Sequence, residues 1–214
     1  MNQRAKQKAK SRQAITDSAA ALLRERGIKA SSVMDVMQGA GLTVGGFYNH
    51  FDSKEELFVE ALRSATSATW NPLLQDAKGD TPRARALSLL RRYLSPEHRD
   101  NRETGCLLPC AAPEVAREGE PYRSALEKEL SAFADMIAEL LEGDPKSRER
   151  ALGLIALMYG ALSLSRAVAG TRLSDEFLRA GKKLAAQAFA GDGEGSKRPL
   201  RKQRRDRQPA FPSS

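Results

Sequence analysis

Apolar residues recur three and four apart along nearly the whole chain, and no segment alternates apolar and polar residues at period two for long enough to make a strand. Between the periodic runs stand Gly, Pro and Asp, in "KGDTP", "EGEP", "EGDP" and "AGTRLSD". This pattern predicts an all-α protein of about nine helices, with no repeat at a fixed period.

Over 12–26, Ile15, Ala19, Leu22 and Leu23 form one stripe, stopped by Gly27. Ser31 and Ser32 offer an N-cap to a second helix with Val33, Val36, Met37 and Ala40, terminated by Gly41. Thr43 is placed to cap a third, short helix ending at Asn49 or His50. Asp52 or Ser53 caps a fourth, whose first turn holds Glu55 and Glu56 where the helix dipole favours acids. Further helices are predicted over 53–77, with Pro72 bending or ending it, and over 81–94, 105–117, 121–141, 145–169 and 174–190.

The net charge of +8 is unevenly placed. Residues 1–12 hold Arg4, Lys6, Lys8, Lys10 and Arg12 with no acid, and 191–214 hold seven basic against three acidic side chains. The ends therefore carry +5 and +4, which leaves 13–190 at −1. Residues 1–11 are expected to be a basic disordered arm and 191–214 a basic disordered tail, which either touch polyanions without reading sequence or keep the chain soluble. The start lacks the apolar stretch of a secretory signal and no run approaches a membrane span, so a cytoplasmic protein without membrane contact is expected.

"GLTVGGFYNHFDSKEEL" (41–57) places two glycines inside a helical segment, where glycine costs up to about 1 kcal/mol relative to alanine. Three helices over 12–49, the last two joined by "QGAGLT", form a helix-turn-helix pattern, whose second helix enters the major groove of DNA. Without side chains, Gly45 and Gly46 let the backbone of that helix press close to the duplex.

"SSVMDVMQGAGLTVGGFYNHFDSKEELF", preceded by the Ile15 to Gly27 helix, resembles the DNA-binding domain of the tetracycline-repressor (TetR) family, whose third helix ends in the spacing of Phe47, Tyr48, His50 and Phe51, with Lys54 following. The resemblance covers about 45 residues closely and the rest in helix count and lengths. It implies phosphate contacts from Tyr48, His50 and Lys54, and packing of Phe47 and Phe51 against the first helix. Thr43, Val44, Gly45, Gly46 and Asn49 then face the groove, and Ser32 joins the DNA-contacting set. The alternative for Tyr48 and His50 is packing at a domain junction. The implied domains are 12–56 for DNA binding and 57–190 for ligand binding and dimerisation.

"ALGLIALMYGALSLSRAVAG" (151–170) is apolar almost all round, so burial on most faces is expected. Gly153, Ala156, Gly160 and Ala161 permit close approach of another helix, and helices 145–170 and 174–190 are the expected homodimer interface, an ordinary core helix being the alternative. In "TGCLLPCAAPEVARE" (104–118), Cys106 and Cys110 share a face if the segment is helical. They fit small buried residues, a thiol sensor, or least well a metal site, since neither His50 nor His98 is at ligand spacing. Trp70, Tyr93, Phe133, Met136, Met158 and Tyr159 are candidates for lining a ligand pocket, with plain core the alternative.

The function so implied is a dimeric transcriptional regulator that binds a palindromic DNA operator, most simply a repressor released by a small-molecule inducer; an activator stays open. No metal or cofactor is expected. An all-α enzyme lacks a phosphate-binding Gly loop and a His/Glu metal motif, and a non-specific nucleic-acid binder driven by the tails is the other rival.

Overall fold

A computed structural model describes residues 2–141 and 146–188. It contains nine α-helices and one 3-10 helix among these residues: α1 Gln3–Glu25, α2 Val33–Gly39, the 3-10 helix Val44–Asn49, α3 Lys54–Gln75, α4 Pro82–Tyr93, α5 Pro96–Asp100, α6 Leu108–Glu118, α7 Tyr122–Glu139, α8 Ser147–Ala167 and α9 Arg172–Ala188. The all-α expectation holds. The expectation for the tail 191–214 lies outside the described residues.

Where an apolar stripe or a cap sets an element, sequence and structure agree. α1 and α3 pack on each other and bury Ile15, Ala19 and Leu23 from one, Leu57, Phe58, Ala61 and Leu62 from the other. Ser53 accepts from the Glu56 N–H at the start of α3, and Thr81 accepts from Ala84 at the start of α4. Pro72 neither ends nor shortens α3, which runs on to Gln75. In the last turn, the missing proline N–H leaves only the Ala68 carbonyl without its partner four residues on.

Four expectations are corrected. Residues 3–11 are not a disordered arm but the first turns of α1, capped by the Asn2 side chain. Arg, Ala, Lys and Gln are strong helix formers, and a helix that buries nothing leaves no periodic signal. Thr43 has the extended backbone of a cap but its side chain makes no capping bond, and the turn after it is 3-10, closed by Gly46 N–H to Thr43 O (3.0 Å) and His50 N–H to Phe47 O (2.9 Å). Two adjacent glycines favour this short, tight form over a full α-turn. α6 begins at Leu108 rather than at 105, with Pro109 in its first turn, where a missing N–H costs no hydrogen bond. Cys106 therefore precedes α6, and Cys106 and Cys110 do not share a helical face. Finally, within the single chain α8 is not buried on most faces, which leaves the expected interface with a second copy untested. Leu152 and Leu164 on α8, and Leu173 and Leu184 on α9, are each about half exposed, and Gly153 and Gly160 look onto open space. Ala161 instead packs inward against Gly181 of α9.

α6 joins the N-terminal helices to the rest. Glu114 accepts from the Ile28 N–H, and its carboxylate fills the place where a side chain on Gly27 (φ +85°) would stand. Just before α6, the Gly105 carbonyl accepts from Arg24 Nε of α1 (3.3 Å).

A candidate DNA-binding surface

α2 starts in a capping box: the Asp35 N–H donates to Ser32 Oγ (3.1 Å), and Ser32 N–H and Oγ both donate to Asp35 Oδ2 (2.9 and 2.7 Å). These bonds from Ser32 hold the Asp35 carboxyl below the usual range. Ser32 is exposed, yet its hydroxyl is engaged in fixing the helix start.

The 3-10 helix is anchored from behind and bare in front. Phe47 and Phe51 are both 1% exposed, with their rings stacked at 5.9 Å. Arg12 of α1 lies over the Phe51 ring at 4.0 Å, bonds Glu56 (3.2 Å) and Glu60 of α3, and donates to the His50 carbonyl. Its guanidinium is held above its ordinary pKa, chiefly by the bond to Glu60. One basic residue counted in the N-terminal charge is thus spent inside the fold, and it locks the end of the 3-10 helix to α1 and α3.

On the outer side, Thr43, Gly45 and Asn49 are exposed, Val44 is about half exposed, and Tyr48 is 75% exposed while its ring edge rests on Phe47 at 5.2 Å. A Cβ on Gly45 would meet nothing within 4 Å, and one on Gly46 would make only ordinary contact with Met37 and Thr43. Neither glycine is demanded by packing within the chain. Lys54 sits at the start of α3 with its ammonium 5.6 Å from the Phe58 ring. His50 is half-buried, with Nδ1 enclosed and without a partner, and burial, then Lys8 and Arg12, lower its pKa. The surface so formed offers a hydroxyl, a phenol, an amide and an ammonium around a strip of naked backbone, the groups that contact phosphates and base edges.

Sequence reading did not find Arg12 as an anchor, nor Met34, 62% exposed on α2. The only signal for Arg12 was its place four residues before Thr16 on the α1 face that meets Glu60.

The second group of expected residues comes together as packed interior. Trp70 and Phe133 stack at 3.9 Å, and both are buried, as are Tyr93, Cys106 and Met158; Met136, Tyr159 and Cys110 are partly so. None of them lines the neighbouring cavity of about 530 Å³, which is walled by Thr69, Pro72 and Leu73 of α3, Arg91 and Arg92 of α4, and His98 and Gly105. A pocket wall needs exposure to the cavity, which the position of a large side chain on a helix does not reveal.

Tyr93 Oη donates to Cys106 Sγ (3.2 Å), and burial raises both the thiol and the phenol above their ordinary pKa. Cys106 is therefore held as a protonated, packed thiol. The Cys106 N–H donates to His98 Nε2 (3.0 Å), so His98 carries its proton on Nδ1 and donates it to the Tyr93 carbonyl (2.6 Å). Both ring nitrogens are engaged by backbone, which removes His98 from metal ligation. Arg166 of α8 closes the cluster by donating to the carbonyls of Cys106 (2.9 Å), His98 (3.1 Å) and Arg99 (3.1 Å).

No helix among the described residues is long and apolar enough to cross a membrane. Residues 15–61 match the family described as bacterial regulatory proteins, tetR family. The HTH-type transcriptional repressor KstR2 of Mycobacterium tuberculosis is 47% identical over 49 residues, 23% of this chain and 24% of that protein, so the match spans about a quarter of the relative's length. An uncharacterized HTH-type transcriptional regulator of the same organism, Rv0196, is 28% identical over 167 residues, 72% of this chain and 84% of the other. Among solved structures, a TetR transcriptional regulator from Chloroflexus aurantiacus superposes with a TM-score of 0.73 at 22% identity, covering 85% of this chain and 95% of its own. The reduced form of Escherichia coli NemR gives 0.70 at 23%, covering 82% and 94%. Residues 15–61 thus carry the N-terminal domain of the tetR family of bacterial regulatory proteins, and most of the chain shares the fold of these solved structures.

Proposed function

We propose that this chain is a DNA-binding transcriptional regulator that binds a palindromic operator as a homodimer and is released by a small molecule. The observation that carries the reading is the exposed 3-10 helix, anchored by Phe47, Phe51 and Arg12, whose glycine Gly45 has open space in front of it. A surface that the chain leaves bare, at a local propensity cost, suits close approach by a duplex. Thr43, Val44, Gly45, Gly46 and Asn49 face the groove, Tyr48, His50 and Lys54 hold phosphates, and Ser32 presents the start of α2. Repression is the favoured direction, since the relative with the higher identity is named a repressor.

The half-exposed leucines on α8 and α9, beside the open Gly153 and Gly160, support a two-fold interface formed by these helices. A second copy there brings two 3-10 helices to successive major grooves. The 530 Å³ cavity is of ligand size and includes His98 and Gly105 in its wall. Gly105 also receives Arg24 of α1, so a ligand that shifts this loop shifts the seat of the DNA-binding helices.

The test is binding of the full chain to a palindrome from its own upstream region against the same bases scrambled, at stated salt. Preference by a factor of about 10³ or more fits specific recognition. Equal affinity for both sequences returns the protein to the class of non-specific nucleic-acid binders.

A further inference from the structure

A groove of about 650 Å³ runs between the first turns of α1 and the end of the 3-10 helix, lined by Arg4, Lys8, Ser11, Asn49 and His50. No acidic side chain lines it, and neither Arg4 nor Lys8 forms an ion pair among the described residues. Asn49 is the last residue of the 3-10 helix and His50 follows it, so the groove is continuous with the surface that carries Tyr48.

The basic residues near the start of the chain are not equivalent. Arg4 and Lys8 are four apart and stand on one face of α1, the face turned to Asn49 and His50. Lys6 and Lys10 are also four apart but lie about 200° around the helix from that face, at 100° per residue. Arg12, one turn beyond Lys8, is consumed by Glu56, Glu60 and the His50 carbonyl. An undifferentiated basic arm becomes a helix with one charged edge built into a groove, one edge facing away, and one cation held by Glu56 and Glu60.

We propose that this groove seats the sugar-phosphate backbone of duplex DNA flanking the bases met by the 3-10 helix, with Arg4 and Lys8 each neutralising a phosphate. It rests on the reading of the protein as a DNA binder and adds a second, sequence-independent contact to it. A strand that crosses Tyr48 passes Asn49 and His50 next and enters between them and α1. The cations waiting there are unpaired and lie on a rigid helix, so little ordering cost is added on binding.

The experiment is a salt titration of the full-length protein on a mixed-sequence duplex, comparing Arg4→Ala/Lys8→Ala with Lys6→Ala/Lys10→Ala. Both double variants remove the same charge from exposed helical positions, and alanine preserves the helix, which circular dichroism checks. The Arg4/Lys8 variant should make the slope of log K against log salt shallower by about 1.8 per bound chain, while the Lys6/Lys10 variant leaves it unchanged. Equal changes in the two variants, or an unchanged slope in the Arg4/Lys8 variant, overturn the groove while leaving the DNA-binding reading standing. Wild-type protein that shows no salt-dependent duplex binding overturns both.

Discussion

The segment around Gly45 and the segment around Cys106 are the two most unusual stretches of the chain, and they are built in opposite senses. In the first, the unusual residues point outward: Gly45 is bare, Tyr48 is exposed, and only Phe47 and Phe51 face the core. In the second, they point inward. Cys106 is 2% exposed, its thiol, N–H and carbonyl are bonded to Tyr93, His98 and Arg166, and a Cβ on Gly105 would strike the Asn101 carbonyl. Rare composition marks both, but in the second the constraint is closeness of the chain to itself, while in the first nothing in the chain requires the glycine and the proposed DNA contact supplies the reason.

Gly45→Leu puts the comparison under the greatest strain. It should abolish operator binding while leaving the melting temperature unchanged or slightly higher, since leucine is the better helix former and meets no neighbour. Normal binding by this variant would erase the difference between the two segments. Arg166→Ala should do the reverse, lowering stability by about 3 kcal/mol because three carbonyls lose a charged donor, as denaturant unfolding will show.

A smaller effect follows from His98. Burial, then the nearby Arg166, depress its pKa, opposed by the bond to the Tyr93 carbonyl. The folded protein therefore binds this proton less readily than the unfolded chain. The stabilisation is fully present above about pH 6.5 and is lost as pH falls through the lowered folded value, at no more than about 1.4 kcal/mol per pH unit. Unfolding followed between neutral and mildly acidic pH should show this slope, and His98→Gln should flatten it. The smallest effect concerns the thiols: native protein should take up an alkylating reagent at half-buried Cys110 and not at Cys106, with both reacting after denaturation. Rapid modification of native Cys106 would reopen its reading as a sensor.

What the sequence disclosed is what local rules decide. Helices with a buried stripe, such as α1 from Ile15 onward and α3, write their period into the chain, and Ser32, Ser53 and Thr81 mark the starts. The outward positions of the 3-10 helix came from the resemblance to the family's third helix, which also turns Phe47 and Phe51 inward, where both are buried. The helical state of residues 3–11 was not, since a fully solvated helix leaves no apolar period. Nor was the role of Arg12, whose partners Glu56 and Glu60 are more than forty residues away. Cys106 and Cys110 were expected to share a face only if the segment around them is helical; α6 begins at Leu108, so Cys106 lies before it.

The contact between Glu114 and the turn at Gly27 bears on how such proteins are recombined. An acid from one half of the chain occupies the space of a missing side chain in the other and takes the N–H of the next residue, Ile28. The halves are therefore not freely interchangeable parts. A chimera that grafts a foreign N-terminal half onto this body will seat correctly only if the donor brings a glycine to that turn; one arriving with a side chain there needs both a shorter residue in place of Glu114 and a turn that leaves the left-handed backbone of Gly27. Positions 27 and 114 form a compatibility code between the two halves.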